Sequence, residues 1–154
     1  MSKIEARLAE LGLTLPEATA PIANYVPFTV SGKIVYVSGQ VPRKDGKIFP
    51  TGRVGEQVSV EDAKAAARNC MLSIIAHAKT AAGGDLDKIA RVLRVTGYVH
   101  SASSFGDQPS VINGASDLAV EVFGEAGRHA RSAVGVASLP AAAAVEVEAI
   151  LELV

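Results

Sequence analysis

The chain has 154 residues, 49% of them hydrophobic and 20% charged, with a formal net charge of −1. That length suits one domain around a continuous core, and the near-balanced charge gives no general attraction to nucleic acid or to an anionic membrane. Charges interrupt every apolar stretch before the roughly 20 residues a membrane helix needs, and the single cysteine, Cys70, excludes an internal disulfide.

His77, His100 and His129 lie far apart without metal-ligand spacing. The first eight residues are charged and amphipathic, unlike the apolar core of a secretory signal, so the expected compartment is the cytoplasm. A mean hydropathy of +0.27 is high for so small a domain and points to association between copies.

Ile4, Leu8 and Leu11 stand at helical spacing before Gly12, which predicts a leading helix over Lys3 to Leu11. Pro16, Pro21 and Pro27 then predict an extended arm holding Tyr25, with the main domain starting near there. Phe28 to Val30 and Ile34 to Val37 read as two antiparallel strands joined through Gly32. Ser38 to Pro42 is expected to break the regular pattern, with a turn at Asp45-Gly46.

Ser59 with Asp62 predicts the cap of a long helix ending at Gly83-Gly84, whose stripe of Ala66, Cys70, Ile74 and His77 or Ala78 would dock on a sheet. Asp85 is placed to cap one further turn before a strand over Ile89 to Val99, and Pro109 opens a second helix that runs to about Phe123. Arg131 to Ala137 and Ala144 to Leu153 complete the set as strands. The order predicts one α+β domain over residues 1–154, with helices stacked on one face of a mixed sheet.

The last two runs place Arg131 at the start of one apolar strand and Glu146 and Glu148 within the next. Charges on partly buried strands need partners or a ligand, because an unpaired ion is costly to desolvate. Around them stand Ala130-Arg131-Ser132, Leu139-Pro140 and Val145-Glu146-Val147-Glu148-Ala149-Ile150. Earlier come Val37-Ser38-Gly39-Gln40-Val41-Pro42, Asn69 and Asn113. Together, over Tyr25 to the C-terminus, these residues resemble the YjgF family, also called the reactive-intermediate deaminase or Rid family.

The resemblance implies a chorismate-mutase-like α+β subunit that forms a homotrimer with small-molecule clefts between subunits. It implies hydrolysis of enamine and imine intermediates, such as 2-aminoacrylate, to 2-keto acids and ammonia, with no metal or organic cofactor. Arg131 matches the arginine that receives the substrate carboxylate, a part suited to the paired donors of a guanidinium. Glu146 matches the acid that positions water. Tyr25 matches a tyrosine lining the cleft, Asn113 the helix asparagine, and Gly39 the backbone position that closes over the ligand. The residues leave other readings open: an Arg131 paired with Glu152 or another acid, a solvated Glu146, a packing Tyr25 and a Gly39 needed only by a turn.

Two departures stand out. Ala133 replaces the cysteine many relatives carry two positions after the arginine, leaving its backbone N–H as a donor, and His129-Ala130 replaces the more common Phe-Pro. A noncatalytic trimer binding a small carboxylate is therefore the alternative. The endoribonuclease and translation-inhibitor labels of some relatives lack a basic, aromatic-interleaved surface here. If the last two strands form a hairpin with Leu139 opposite Ala144, Arg131 faces Glu152, and Glu146 lies six positions further along. At roughly 3.3 Å per residue the two are on the order of 20 Å apart, so a shared ligand requires either a site between subunits, the reading adopted, or the absence of the hairpin.

Overall fold

The computed structural model describes residues 2–18 and 23–154, so of the expected extended arm Pro21 lies outside the described residues. Helix α1 (Lys3–Glu10) begins in a capping box, in which Ser2 Oγ accepts from the Glu5 amide and Glu5 Oε2 from the Ser2 amide, both at 3.2 Å. Its first turn is docked by Asp87, whose carboxylate accepts from the amides of Lys3 and Ile4 at 2.9 and 3.0 Å. Lys79 pairs with Glu5 and Arg7 donates to the Glu121 carbonyl, so the leading helix is fastened to the body of the domain.

Strands β1 (Phe28–Ser31) and β2 (Ile34–Gln40) pair as the expected hairpin, and a small ladder of β3 (Arg43–Lys44) and β4 (Lys47–Ile48) flanks the turn at Asp45-Gly46. Ser38 to Gln40 continue β2 past a bulge, where the sequence suggested a break. Helix α2 (Val60–Ala81) starts at Ser59, whose side chain accepts from the Asp62 amide, and Asn69 on it accepts from the Arg43 amide at 2.9 Å, pinning the β3–β4 turn. Strand β5 (Ile89–His100), helix α3 (Gln108–Phe123), strand β6 (Ala130–Val136) and strand β7 (Val145–Leu153) follow.

The main sheet has the order β1-β2-β7-β5-β6, with β6 parallel to β5 and the other pairs antiparallel. No β6–β7 hairpin exists, which corrects the register expected above. The α3 crossover returns the chain to the same end of the sheet, so β6 pairs parallel on the free edge of β5. Strand β7 instead fills the gap between β2 and β5, where Val145, Val147, Ala149 and Leu151 are all buried. A hairpin at the edge would have left that set half in water, at about 1.5–3 kcal/mol per exposed side chain. Consistent with this, the residues between the strands are tied elsewhere: Ala144 donates to the Pro50 carbonyl and accepts from His100.

Helices α2 and α3 cover one face of the sheet, meeting Val35, Val37, Val92, Val95 and Val99. Their approach is close where Gly114 of α3 lies against the Lys64 carbonyl of α2. Cys70 is fully buried in this core, and burial, with the nearby Glu146 charge, pushes its thiol far up. The opposite face of the sheet carries Tyr36, Arg94, Thr96, Tyr98, Val134, Glu146 and Glu148, with Tyr36 and Val134 nearly half exposed. Among the described residues no helix is long and apolar enough to cross a membrane.

Candidate functional site

Arg131 is registered opposite Val95, whose side chain is buried under the helices, so Arg131 points to the helix side from the outermost strand. There Nη1 donates to Asn113 Oδ1 at 2.7 Å and to Ser116 Oγ at 3.2 Å. Both Nη1 hydrogens are thereby committed to α3. Among the described residues Nε and Nη2 have no partner, and they form the guanidinium edge whose two parallel donors match the geometry of a carboxylate. Glu152 is registered to Ile34 and Arg91, two strands away, so the alternative Arg131–Glu152 pair is absent.

Ser116 and His129 complete this half of the site, and the sequence reading gave neither a role. His129 Nδ1 lies 2.7 Å from the Gly127 carbonyl, which can only accept, so Nδ1 carries the proton. In the neutral ring Nε2 then accepts, 2.9 Å from Ser116 Oγ, and the serine is the donor. Burial is the main cause that holds the His129 imidazole below its ordinary range, with the Arg131 charge adding to it against the Gly127 bond. The signals were available: Ser116 follows Asn113 by one helical turn, and His129 precedes Arg131 by two positions. A shallow depression of about 290 Å³ opens onto this set, also bounded by Asp117, Val120 and Arg128. Ala133, registered to Gly97, shares the face of Arg131 and packs its methyl on the core.

Glu146 stands on the other face, registered to Tyr98. It is half-buried; its carboxyl is held above the ordinary value, first by burial and then by the charge of Glu148 two residues along. Glu148 is engaged by the Tyr98 hydroxyl at 3.0 Å, whereas Glu146 has no hydrogen-bond partner among the described residues. Gly39, on the bulged end of β2, supplies the room. A methyl carbon there would lie 2.9 Å from Cδ and 3.2 Å from Cγ of Glu146 and closer still to Oε1. The glycine thus leaves room for the acid in its present rotamer, and its φ is not positive, so no left-handed turn calls for it. Tyr25 is 54% exposed, which removes the packing reading, and its segment is tied beside Gly39 because Ser38 Oγ donates to the Val26 carbonyl.

The six residues singled out in the sequence therefore fall into two groups. Arg131, Asn113 and Ala133 sit at the β6 edge on the helix side, while Glu146, Gly39 and Tyr25 gather around β2 and β7. From the register, Arg131 and Glu146 are two strands apart and offset by three residues of β5. At roughly 4.8 Å per strand and 3.3 Å per residue their backbones are on the order of 14 Å apart, with the side chains on opposite faces. One small ligand cannot bridge them within a single copy.

The fold and this arrangement define an α+β subunit with a pre-held arginine and a remote, half-buried acid. Residues 5–153 match the YjgF/chorismate mutase-like endoribonuclease family, and the chain belongs to it. It is 49% identical over 152 residues to protein TCP17 of Trypanosoma cruzi, covering 98% of this chain and 94% of that one. The 3-aminoacrylate deaminase RutC of Acinetobacter baylyi matches at 40% over 78 residues, 50% of this chain and 55% of its own. Among solved structures, Atu1372 of Agrobacterium tumefaciens superposes with a TM-score of 0.91 at 55% identity, covering 98% of this chain and 92% of that one.

Proposed function

We propose that the protein is a cofactor-free hydrolase of small enamines and imines bearing a carboxylate, of the 2-aminoacrylate or 2-iminobutanoate type, releasing 2-keto acids and ammonia. The observation that carries the reading is the Arg131 guanidinium: Asn113 and Ser116 hold it by Nη1, and its Nε–Nη2 edge is free for a carboxylate. Partial likeness to a deaminase of 3-aminoacrylate supports the substrate class.

With the carboxylate on Arg131, steadied by the Ala133 amide, the imine carbon is offered to water. Water oxygen bonds to that carbon, the C=N pair moves to nitrogen, and nitrogen takes a proton. The carbinolamine then collapses, its C–N bond breaks, and ammonia leaves as the C=O bond forms. Glu146 orients the water and exchanges the protons; its raised pKa suits both donating and accepting nearer neutrality. The acid comes from a second copy, beside Gly39 and Tyr25, because about 14 Å and a sheet separate it from its own Arg131. A homotrimer joined through the face bearing Tyr36 and Val134 would bring the two halves together and cover those exposed side chains.

Generating 2-aminoacrylate or 2-iminobutanoate enzymatically and following keto-acid release tests this. The wild type should accelerate release, Arg131→Ala should abolish the gain, and no acceleration by the wild type rejects the proposal. The second reading, a noncatalytic binder of small carboxylates in the same cleft, is favoured by Ala133 in place of the family cysteine. Saturable binding by calorimetry without turnover would establish it.

A further inference from the structure

Ser116, His129 and the Gly127 carbonyl form a chain of which imine hydrolysis uses only the contact of Ser116 to Arg131. The carbonyl fixes the proton on Nδ1 at 2.7 Å, which turns the bare Nε2 toward the serine hydroxyl at 2.9 Å. A nucleophile, a base within hydrogen-bond reach and a third group orienting the base are the working parts of nucleophilic catalysis. Arg131 Nη1 lies 3.2 Å from the same Oγ, so a cation stands where negative charge would develop. All three side chains border the open depression at the β6 edge.

We propose that Ser116 is a nucleophilic serine, with His129 as its base and the Gly127 carbonyl as the orienting group, acting on short esters whose acyl part carries a free carboxylate. The Nε–Nη2 edge of Arg131 anchors that carboxylate, as in the imine reading, but the chemistry is independent of it. Oγ bonds to the acyl carbon, its proton passes to Nε2 of His129, and the carbonyl pair becomes an oxyanion. The oxyanion then lies two bonds from Oγ, and the Nη1 group that had donated to Oγ is the cationic donor beside it. Collapse breaks the ester C–O bond, and the departing alkoxide takes the proton from Nε2. Water then attacks the acyl-serine, again through His129, and returns the proton to Oγ; the products are the acid and the alcohol. The neutral ring that burial enforces keeps Nε2 able to accept near neutral pH.

The test treats the native protein with diisopropyl fluorophosphate, maps the adduct by peptide mass, and measures hydrolysis of p-nitrophenyl hydrogen succinate beside p-nitrophenyl acetate. A single adduct at Ser116 is expected, with the acidic ester preferred in kcat/KM and the preference lost in Arg131→Gln. His129→Phe, the residue common in the family at this position, should slow labelling by about 100-fold or more, the usual range for a lost general base. Absence of an adduct at Ser116 in the wild type, or an unchanged labelling rate in His129→Phe, overturns the proposal. Mapping on the wild type needs no variant to fold, and a failed imine assay leaves this outcome untouched.

Discussion

Replacing Gly39 by alanine separates a glycine kept for the acid beside it from one kept for the backbone. The residue's φ is not positive, so alanine fits its backbone, and removing glycine from a strand returns about 0.5–1 kcal/mol of chain entropy. Against this, the new methyl would stand 2.9 Å from Glu146 Cδ and 3.2 Å from Cγ, nearer than carbon atoms pack. The obstacle is the far end of a flexible side chain, which can leave its rotamer for roughly 0.5–1.5 kcal/mol. The two nearly cancel, so stability should change by less than about 1 kcal/mol in urea unfolding, whereas the carboxylate moves by on the order of 1 Å. For the proposed hydrolysis, such a displacement of a positioned group should cost on the order of 100-fold in rate, read as kcat/KM for keto-acid release. In a Glu146→Ala background the same Gly39→Ala change should do almost nothing further, because the group it displaces is gone. A loss above about 3 kcal/mol, or equal effects of Gly39→Ala with and without Glu146, would refute the reasoning.

Other consequences follow from the same geometry. Glu146 has a folded pKa above its unfolded one, so the stabilisation of its protonated form is present below pH 4.5 and is lost as pH rises through the raised folded value. Glu146→Gln should therefore gain on the wild type in melting temperature as pH rises above 4.5, while losing turnover. Asp87 and Glu5 have depressed values, from the backbone amides of Ile4 and Lys3 and from Lys79 respectively, so their contribution is present above their ordinary range and lost as pH falls through the folded values. The protection of α1 amides from hydrogen exchange, relative to the intrinsic rate at each pH, should fall below about pH 3.8 while the sheet stays protected, and Asp87→Asn should bring the same loosening to neutral pH. Gly114→Ala would press a methyl onto the backbone carbonyl of Lys64, 2.9 Å from its carbon, where no side chain can swing away. Overpacking of about 1–3 kcal/mol should outweigh the roughly 1 kcal/mol of helix propensity gained, lowering the melting temperature by several degrees. Asn113→Ala should weaken carboxylate binding by about 10-fold, read in KM or calorimetric Kd, as one lost charged hydrogen bond of roughly 1.5 kcal/mol implies.

Most of the element order was legible because each signal is local. Ser59 and Asp62, the Gly83-Gly84 stop, Pro109 and the alternation of Val145 to Leu151 act within a few residues of where they stand, through capping bonds, φ restrictions and side-chain period. The residue motifs likewise marked Arg131 and Glu146 as unusual charges on strands. Pairing between strands is not local. The hairpin drawn from sequence neighbours failed because burial of four β7 side chains on both flanks outweighs the shorter loop, and only the whole sheet contains that comparison. The same holds at the site. The sequence offered Gly39 as a backbone position closing over a ligand or as a turn glycine, and the fold shows Glu146 lying across it; the sequence passed over Ser116, and the fold sets its hydroxyl between Arg131 and His129. Residue type and family resemblance singled out the candidate groups. Which of them meet was decided by the strand order, which puts the arginine and the acid on opposite faces of one sheet.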